Sequence, residues 1–289
     1  MTPISPGTEP AVRTSPFGPL AAGGARGTPQ VPDLWSLVDL ATRAARAGGI
    51  EIRRRLGAVT GVSTKSSRTD PVSDADRAGE RAVVDTIRQE RPQDGLLGEE
   101  GSNEEGNTGL RWVVDPLDGT VNYLYGVPCF AVSVACEQVV AGRARTLVGA
   151  VLDVTGEEVF TAVRGGGAHL DGKPLRVTEP VGLDEALVAT GFAYLPASRR
   201  RQAAAVAALL PGIRDIRSRG SAALELCQVA AGRCDAYYED ELKVWDWAAG
   251  ALVAQEAGAR VTSLDPGGVL AAGPSLHREL AQLLGPAGA

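Results

Sequence analysis

One stretch constrains this chain more than any other: Trp112-Val113-Val114-Asp115-Pro116-Leu117-Asp118-Gly119-Thr120-Val121-Asn122-Tyr123. The apolar triplet predicts the end of a buried strand, the residues after it a tight bend, and Thr120 the start of a helix. Pro116 fixes one φ angle, and Gly119 permits a close or unusual backbone path. Two ionised aspartates in such a bend repel each other unless a cation or a donor lies between them. The amides that open the following helix present an end suited to an anion at the same place. A cation on one side and a phosphate on the other is the chemistry this pattern predicts.

The rest of the composition narrows the class. At 289 residues and 44% apolar content the chain can bury a substantial core, as one large domain or two smaller ones. Lysine and arginine number 29 against 35 aspartate and glutamate, a formal charge of −6, and no basic run suggests a nucleic-acid groove. No apolar run is long enough for a membrane span. Cys129, Cys136, Cys227 and Cys234 lack CxxC spacing, and no signal-peptide pattern precedes them. Buried free thiols in a reducing cytoplasm are the expectation.

Residues 1–30, rich in Pro, Gly, Ser and Thr, read as a flexible extension. An apolar face at helical spacing runs from Leu34 to Leu56, in which Gly48-Gly49 either bends the helix or allows close packing. The segment Lys65 to Asp76 is too polar for a core element, and Ser73 with Asp76 forms a capping pattern for the next helix. Whether it is a solvated loop or a site loop stays open locally. Folded against Asp115, it would bring Lys65 to a phosphate and Asp70 to a metal-held water. Glu99, at the end of a short strand, reads either as a surface turn or as an oxygen ligand for a cation. Asn103 to Gly109 reads as a hairpin tip.

Beyond the bend, strands are expected near 130–136, 146–154 and 158–163. Alternating strands and helices follow from about Val177 to the end. Gly165-Gly166-Gly167 lacks the arrangement of a P-loop and reads as a tight bend. His277 is expected on the surface of the last helix. Asp246, between Trp245 and Trp247 at a helix start, must face an end, a partner or a metal.

Three separated motifs, Gly98-Glu99-Glu100, Asp115 to Tyr123 and Val244-Trp245-Asp246-Trp247-Ala248-Ala249-Gly250, together resemble the inositol monophosphatase family of magnesium-dependent, lithium-sensitive phosphatases. The Lys65 to Asp76 segment fits the same pattern. The resemblance covers roughly residues 34–285 and departs from the family only mildly, with Leu117 for Ile and Tyr123 for Phe.

The resemblance implies an α+β fold, a layered αβαβα sandwich of the inositol monophosphatase–fructose bisphosphatase type. In it, residues 31–176 carry most metal ligands and 177–289 complete the site. It implies Glu99, Asp115, Asp118, Asp246 and the Leu117 carbonyl as ligands to two Mg²⁺ ions per subunit, with a third in some members. Asp70 and Thr120, with Glu99, would direct the attacking water. Lys65, Gly119, Thr120, Gly220, Ser221, Ala222, Glu239 and Asp246 would contact substrate. The expected activity is hydrolysis of inositol 1-phosphate. Histidinol phosphate, fructose 1,6-bisphosphate and 3′-phosphoadenosine 5′-phosphate are alternative substrates, and a noncatalytic metal-stabilised interaction protein is the rival class. A cytoplasmic homodimer acting on a small phosphorylated polyol, without nucleic acid or membrane, completes the expectation.

Overall fold

The computed structural model describes residues 33–58, 61–64 and 71–285. Helix α1 (Leu34–Arg55) starts at Asp33, whose carboxylate accepts from the Trp35 amide. A two-residue ribbon, β1 (Ser63–Thr64) with β2 (Pro71–Val72), precedes α2 (Asp74–Glu90). The capping box expected there is present: the Ser73 hydroxyl and the Asp76 carboxylate satisfy each other's ends of the first turn. Next come β3 (Gly95–Gly98), β4 (Asn103–Glu104), β5 (Leu110–Asp118) and α3 (Thr120–Tyr125). Strands β6 (Ala131–Val140), β7 (Arg143–Asp153), β8 (Val159–Val163), β9 (Gly167–Leu170) and β10 (Lys173–Pro174) follow. The remainder is β11 (Leu187–Thr190), α4 (Pro196–Leu209), β12 (Asp215–Arg217), α5 (Ala222–Ala230), β13 (Ala236–Glu239), α6 (Val244–Glu256), β14 (Arg260–Leu264), β15 (Gly268–Ala272) and α7 (Pro274–Leu283).

Two sheets carry these strands. The larger has the order β10-β9-β8-β7-β6-β5-β3-β4 and is antiparallel except where β3 runs parallel to β5. The smaller has the order β12-β11-β13-β15-β14, with β11 parallel to both its neighbours. Side chains alternate across each strand, so each sheet has two faces to cover. Trp112, Val114, Val132, Val134, Val148 and Ala150 pack with Leu40, Ala44 and Ile52 of α1 and Val83 and Ile87 of α2. The intervening residues Val113, Ala135 and Val151 meet Leu224 and Cys227 of α5 and Ala248, Leu252 and Val253 of α6.

The other faces of α5 and α6, through Leu226, Val229, Ala251 and Ala254, meet Ala189, Tyr237 and Ala271 of the smaller sheet. Its far side is covered by Leu209 of α4 and by Leu276 and Leu280 of α7. The outcome is five layers, αβαβα, as the resemblance implies. A helix lying between two sheets must be apolar all round, and residues 248–254 of α6 are buried without exception.

Small residues set the layer spacing. A Cβ on Gly149 would stand 2.9 Å from the Ala249 Cα, and one on Gly250 would stand 2.9 Å from the Ala223 carbonyl oxygen. Gly48 and Gly49 permit close packing of α1, since a Cβ on Gly49 would lie 2.5 Å from Leu152. The glycine run 165–167 is a bend whose Gly165 and Gly167 amides donate to the Glu256 carboxylate. His277 corrects the surface expectation: it is buried, its Nε2 2.9 Å from the Thr262 hydroxyl. Among the described residues all four cysteines are free thiols, and no helix is long and apolar enough to cross a membrane.

Candidate active site

Three chain segments meet at the C-terminal end of β5. Its pairing with β6 breaks between Asp115 and Asp118, and this irregularity turns the Asp-Pro-Leu-Asp bend out of the sheet. Asp115 is buried, and its Oδ1 accepts from the Leu117 amide at 3.0 Å. Gly119 then takes φ +99°, where its missing Cβ avoids the Cys129 carbonyl oxygen at 2.9 Å. The parallel neighbour β3 delivers Glu99 alongside, with the Glu99 amide donating to the Val114 carbonyl at 3.1 Å.

Asp118 faces α5. Its Oδ2 accepts from the Ser221 hydroxyl and from the Ala223 amide, both at 2.7 Å. Ser221 is also the cap of α5, accepting from the Leu224 amide at 3.3 Å. Its buried hydroxyl therefore serves Asp118 and the helix, whereas the sequence reading gives Ser221 to the substrate. Gly220 takes φ +84°, and the Asn122 side-chain amide donates to the Cys129 and Arg219 carbonyls, binding α3 to the lead-in of α5. Ala222 is buried at the first turn of α5. Asp246 comes from the first turn of α6, where its Oδ2 accepts from the Lys243 amide at 2.6 Å.

These carboxylates act on one another. Burial, followed by the charges of Glu99, Asp118 and Asp246, holds Asp115 well above the usual carboxylate range, and Asp115 and Glu99 are within hydrogen-bonding reach. Asp118 is pushed up to about 6 by burial, a rise that its bonds from Ser221 and Ala223 oppose. Asp246 is also raised well above its ordinary value, by burial and then by Glu99 and Asp118. Asp115 is buried outright, whereas Glu99, Asp118 and Asp246 are half-buried residues.

Among the described residues no three such side chains form a finished metal cage. The donor chemistry still fits a hard divalent cation: carboxylates and the Leu117 carbonyl, all oxygen, with the carboxylates close enough to raise one another.

Thr120 lies beside this group at the start of α3. Its Oγ1 is 2.9 Å from Asp76 Oδ1 and 3.0 Å from the Leu117 carbonyl, and its single proton serves one of them at a time. The sequence reading gives Asp76 a capping role only. The second oxygen of the same side chain does cap, while the first reaches a hydroxyl 44 positions away. The partner assigned to Thr120 from the resemblance, Asp70, lies outside the described residues, as does Lys65. Glu239 lies near enough to Asp118 and Asp246 for their charges to act on one another. Burial pushes it up to about 8, Tyr237 Oη donates to its Oε2 at 2.7 Å, and a Cβ on Gly191 would collide with its carboxylate.

This arrangement has known relatives. Residues 33–285 match the sequence profile of the inositol monophosphatase family. The chain belongs to that family. It is 46% identical over 253 residues to the inositol-1-monophosphatase SuhB of Mycobacterium tuberculosis, covering 82% of this chain and 86% of the relative. It is 40% identical over 234 residues to the Nus factor SuhB of Haemophilus influenzae, covering 80% and 86% respectively. Among solved structures, that of Mycobacterium tuberculosis SuhB aligns with a TM-score of 0.73 at 42% identity, covering 86% of this chain and 96% of that one. The extragenic suppressor protein suhB from Bartonella henselae aligns with a TM-score of 0.80 at 34% identity, covering 87% and 99%. Members of this family of phosphatases are generally metal-dependent and act on small phosphate monoesters.

Proposed function

We propose that this chain is a Mg²⁺-dependent phosphate monoester hydrolase whose substrate is inositol 1-phosphate. The observation that carries the reading is the convergence of Glu99, Asp115, Asp118 and Asp246 from three separate segments, close enough for their charges to raise Asp115 and Asp246. These four, with the Leu117 carbonyl, are assigned to two Mg²⁺ ions, and a third ion is allowed. Bound there, the ions supply Lewis acidity that lowers the pKa of water and offsets charge on the phosphate and the leaving oxygen. Thr120, backed by Asp76, orients the attacking water together with Asp70. The water oxygen forms the new bond to phosphorus as the ester P–O bond breaks, so no covalent enzyme intermediate is required.

Lys65 and the backbone of Gly119 and Thr120 are assigned to the phosphate. Glu239, aimed by Tyr237, with Gly220, Ala222 and Asp246, is assigned to the ring hydroxyls. Ser221 is given an indirect part, through Asp118. The proposal includes a division into residues 31–176 and 177–289, a cytoplasmic location and, as the resemblance implies, a homodimer.

Phosphate release from inositol 1-phosphate, histidinol phosphate, fructose 1,6-bisphosphate and 3′-phosphoadenosine 5′-phosphate tests this, each with Mg²⁺, with EDTA, and with Mg²⁺ plus lithium. A Mg²⁺-dependent preference for inositol 1-phosphate is expected. A preference for another ester keeps the reaction class and overturns the substrate. A second reading draws on relatives named as Nus factors at 37% to 41% identity. That name leaves the activity open, and no release from any ester would move the assignment to a noncatalytic interaction protein.

A further inference from the structure

Helix α2 carries two buried carboxylates one turn apart, Asp76 and Glu80, on the same face. Asp76 reaches the Thr120 hydroxyl. Glu80 reaches the other side of the site: its Oε2 accepts from the Glu100 amide at 2.8 Å and its Oε1 from the Ser102 amide at 2.9 Å. Those two amides belong to the turn that follows Glu99. A carboxylate that takes two backbone donors in a buried position fixes the path of the chain it grips, since releasing them leaves buried polar groups unpaired. The strand end is shaped to admit it, because a Cβ on Gly98 would stand 2.5 Å from Glu80 Oε2. Nothing in this arrangement caps or extends α2, and Glu80 lies far from the helix's own unsatisfied first turn.

We infer that Glu80 is a positioning residue for the proposed metal site. It pins the Gly98–Ser102 turn so that the Glu99 carboxylate is held toward Asp115. Through Asp76 and Glu80, α2 sets the Thr120 hydroxyl and the Glu99 turn at a fixed separation. The inference rests on the reading of Glu99 as a Mg²⁺ ligand.

The test is Mg²⁺ titration calorimetry on the full chain, comparing wild type with Glu80→Gln, Gly98→Ala, Asp115→Asn and Glu137→Gln. Glu137 is a buried carboxylate of the same sheet that pairs with Arg111, so its substitution reports a purely structural loss. Glu80→Gln and Gly98→Ala should each weaken Mg²⁺ binding roughly 10- to 100-fold, the usual effect of removing a partner behind a ligand. The KM for inositol 1-phosphate at saturating Mg²⁺ should stay unchanged. Glu137→Gln should lower the melting temperature and leave Mg²⁺ affinity intact. Wild-type affinity in both the Glu80 and Gly98 variants overturns the inference while leaving the metal site standing. If wild type itself does not bind Mg²⁺, or Asp115→Asn binds it equally well, the metal reading falls and this inference with it. Should the variants not fold, hydrogen exchange on wild type decides. The Glu100 and Ser102 amides should be protected and gain protection with Mg²⁺, and exchange at the rate of an open turn contradicts the pinning.

Discussion

The Ser221 hydroxyl donates to Asp118 Oδ2 across 2.7 Å, joining residues 103 positions apart in one bond between the Asp-Pro-Leu-Asp bend and the first turn of α5. The same oxygen atom of Ser221 accepts the Leu224 amide, so one side chain caps a helix and orients a carboxylate. Ser221→Ala removes both. Loss of a serine cap alone costs about 0.5–2 kcal/mol, and urea unfolding should show a drop of about 1 kcal/mol or more. An unchanged midpoint would mean that the bond contributes nothing.

Thr120 and Asp76 form the second cross-chain contact in the site. Thr120→Val keeps the shape and deletes the hydroxyl, and phosphate release should fall roughly 10²-fold or more if that hydroxyl steers the water. Thr120→Ser should restore most of it. Equal activity in the valine and serine variants would remove Thr120 from the reaction.

Raised carboxylates make metal-free stability fall with rising pH. Asp118 is held at about 6, Glu239 at about 8, and Asp115 and Asp246 well above their ordinary range. In each case the folded state holds protons that the unfolded state has released, so the contribution is full at low pH and is lost as pH climbs through the folded value. His277, depressed to about 4 by burial and by Arg260, works in the opposite direction, but only below its unfolded value near 6.5. The melting temperature in EDTA should therefore fall between about pH 6.5 and pH 8. Saturating Mg²⁺ should reverse that fall, because the cation takes over from the protons. Parallel curves with and without Mg²⁺ would contradict the coupling.

Layer spacing offers a test away from the site. Gly149 of β7 lies under α6 with backbone atoms of Ala249 in the way of any Cβ. Neither strand nor helix can yield locally, so Gly149→Ala should destabilise by about 1–3 kcal/mol, the range for overpacked cores. Measured by denaturant unfolding, a neutral result would show that the layers can part without cost.

Local signals made much of this legible from sequence. The strand, bend and helix around Asp115 and Asp118 are written in adjacent residues, and the capping box at Ser73 and Asp76 spans one turn. The five-layer arrangement came from the resemblance, whereas the structure supplies its physical reason in the all-round burial of α6. What sequence could not give are contacts between distant positions. The reach of Asp76 to Thr120 and of Glu80 to the turn after Glu99 depends on how α2 lies across the ends of β3 and β5. The expected surface position of His277 was wrong for a related reason: a helical face is buried or exposed by what packs on it, and β14 supplies Thr262 there.

On the proposed function, Glu99, Asp115, Asp118 and Asp246 share divalent cations. Anomalous scattering from crystals of the full chain soaked in Mn²⁺, a stand-in for Mg²⁺, tests it most directly. Two peaks bounded by these four carboxylates and the Leu117 carbonyl are expected, both lost in Asp115→Asn. Manganese bound elsewhere, with no density among the four, would contradict it.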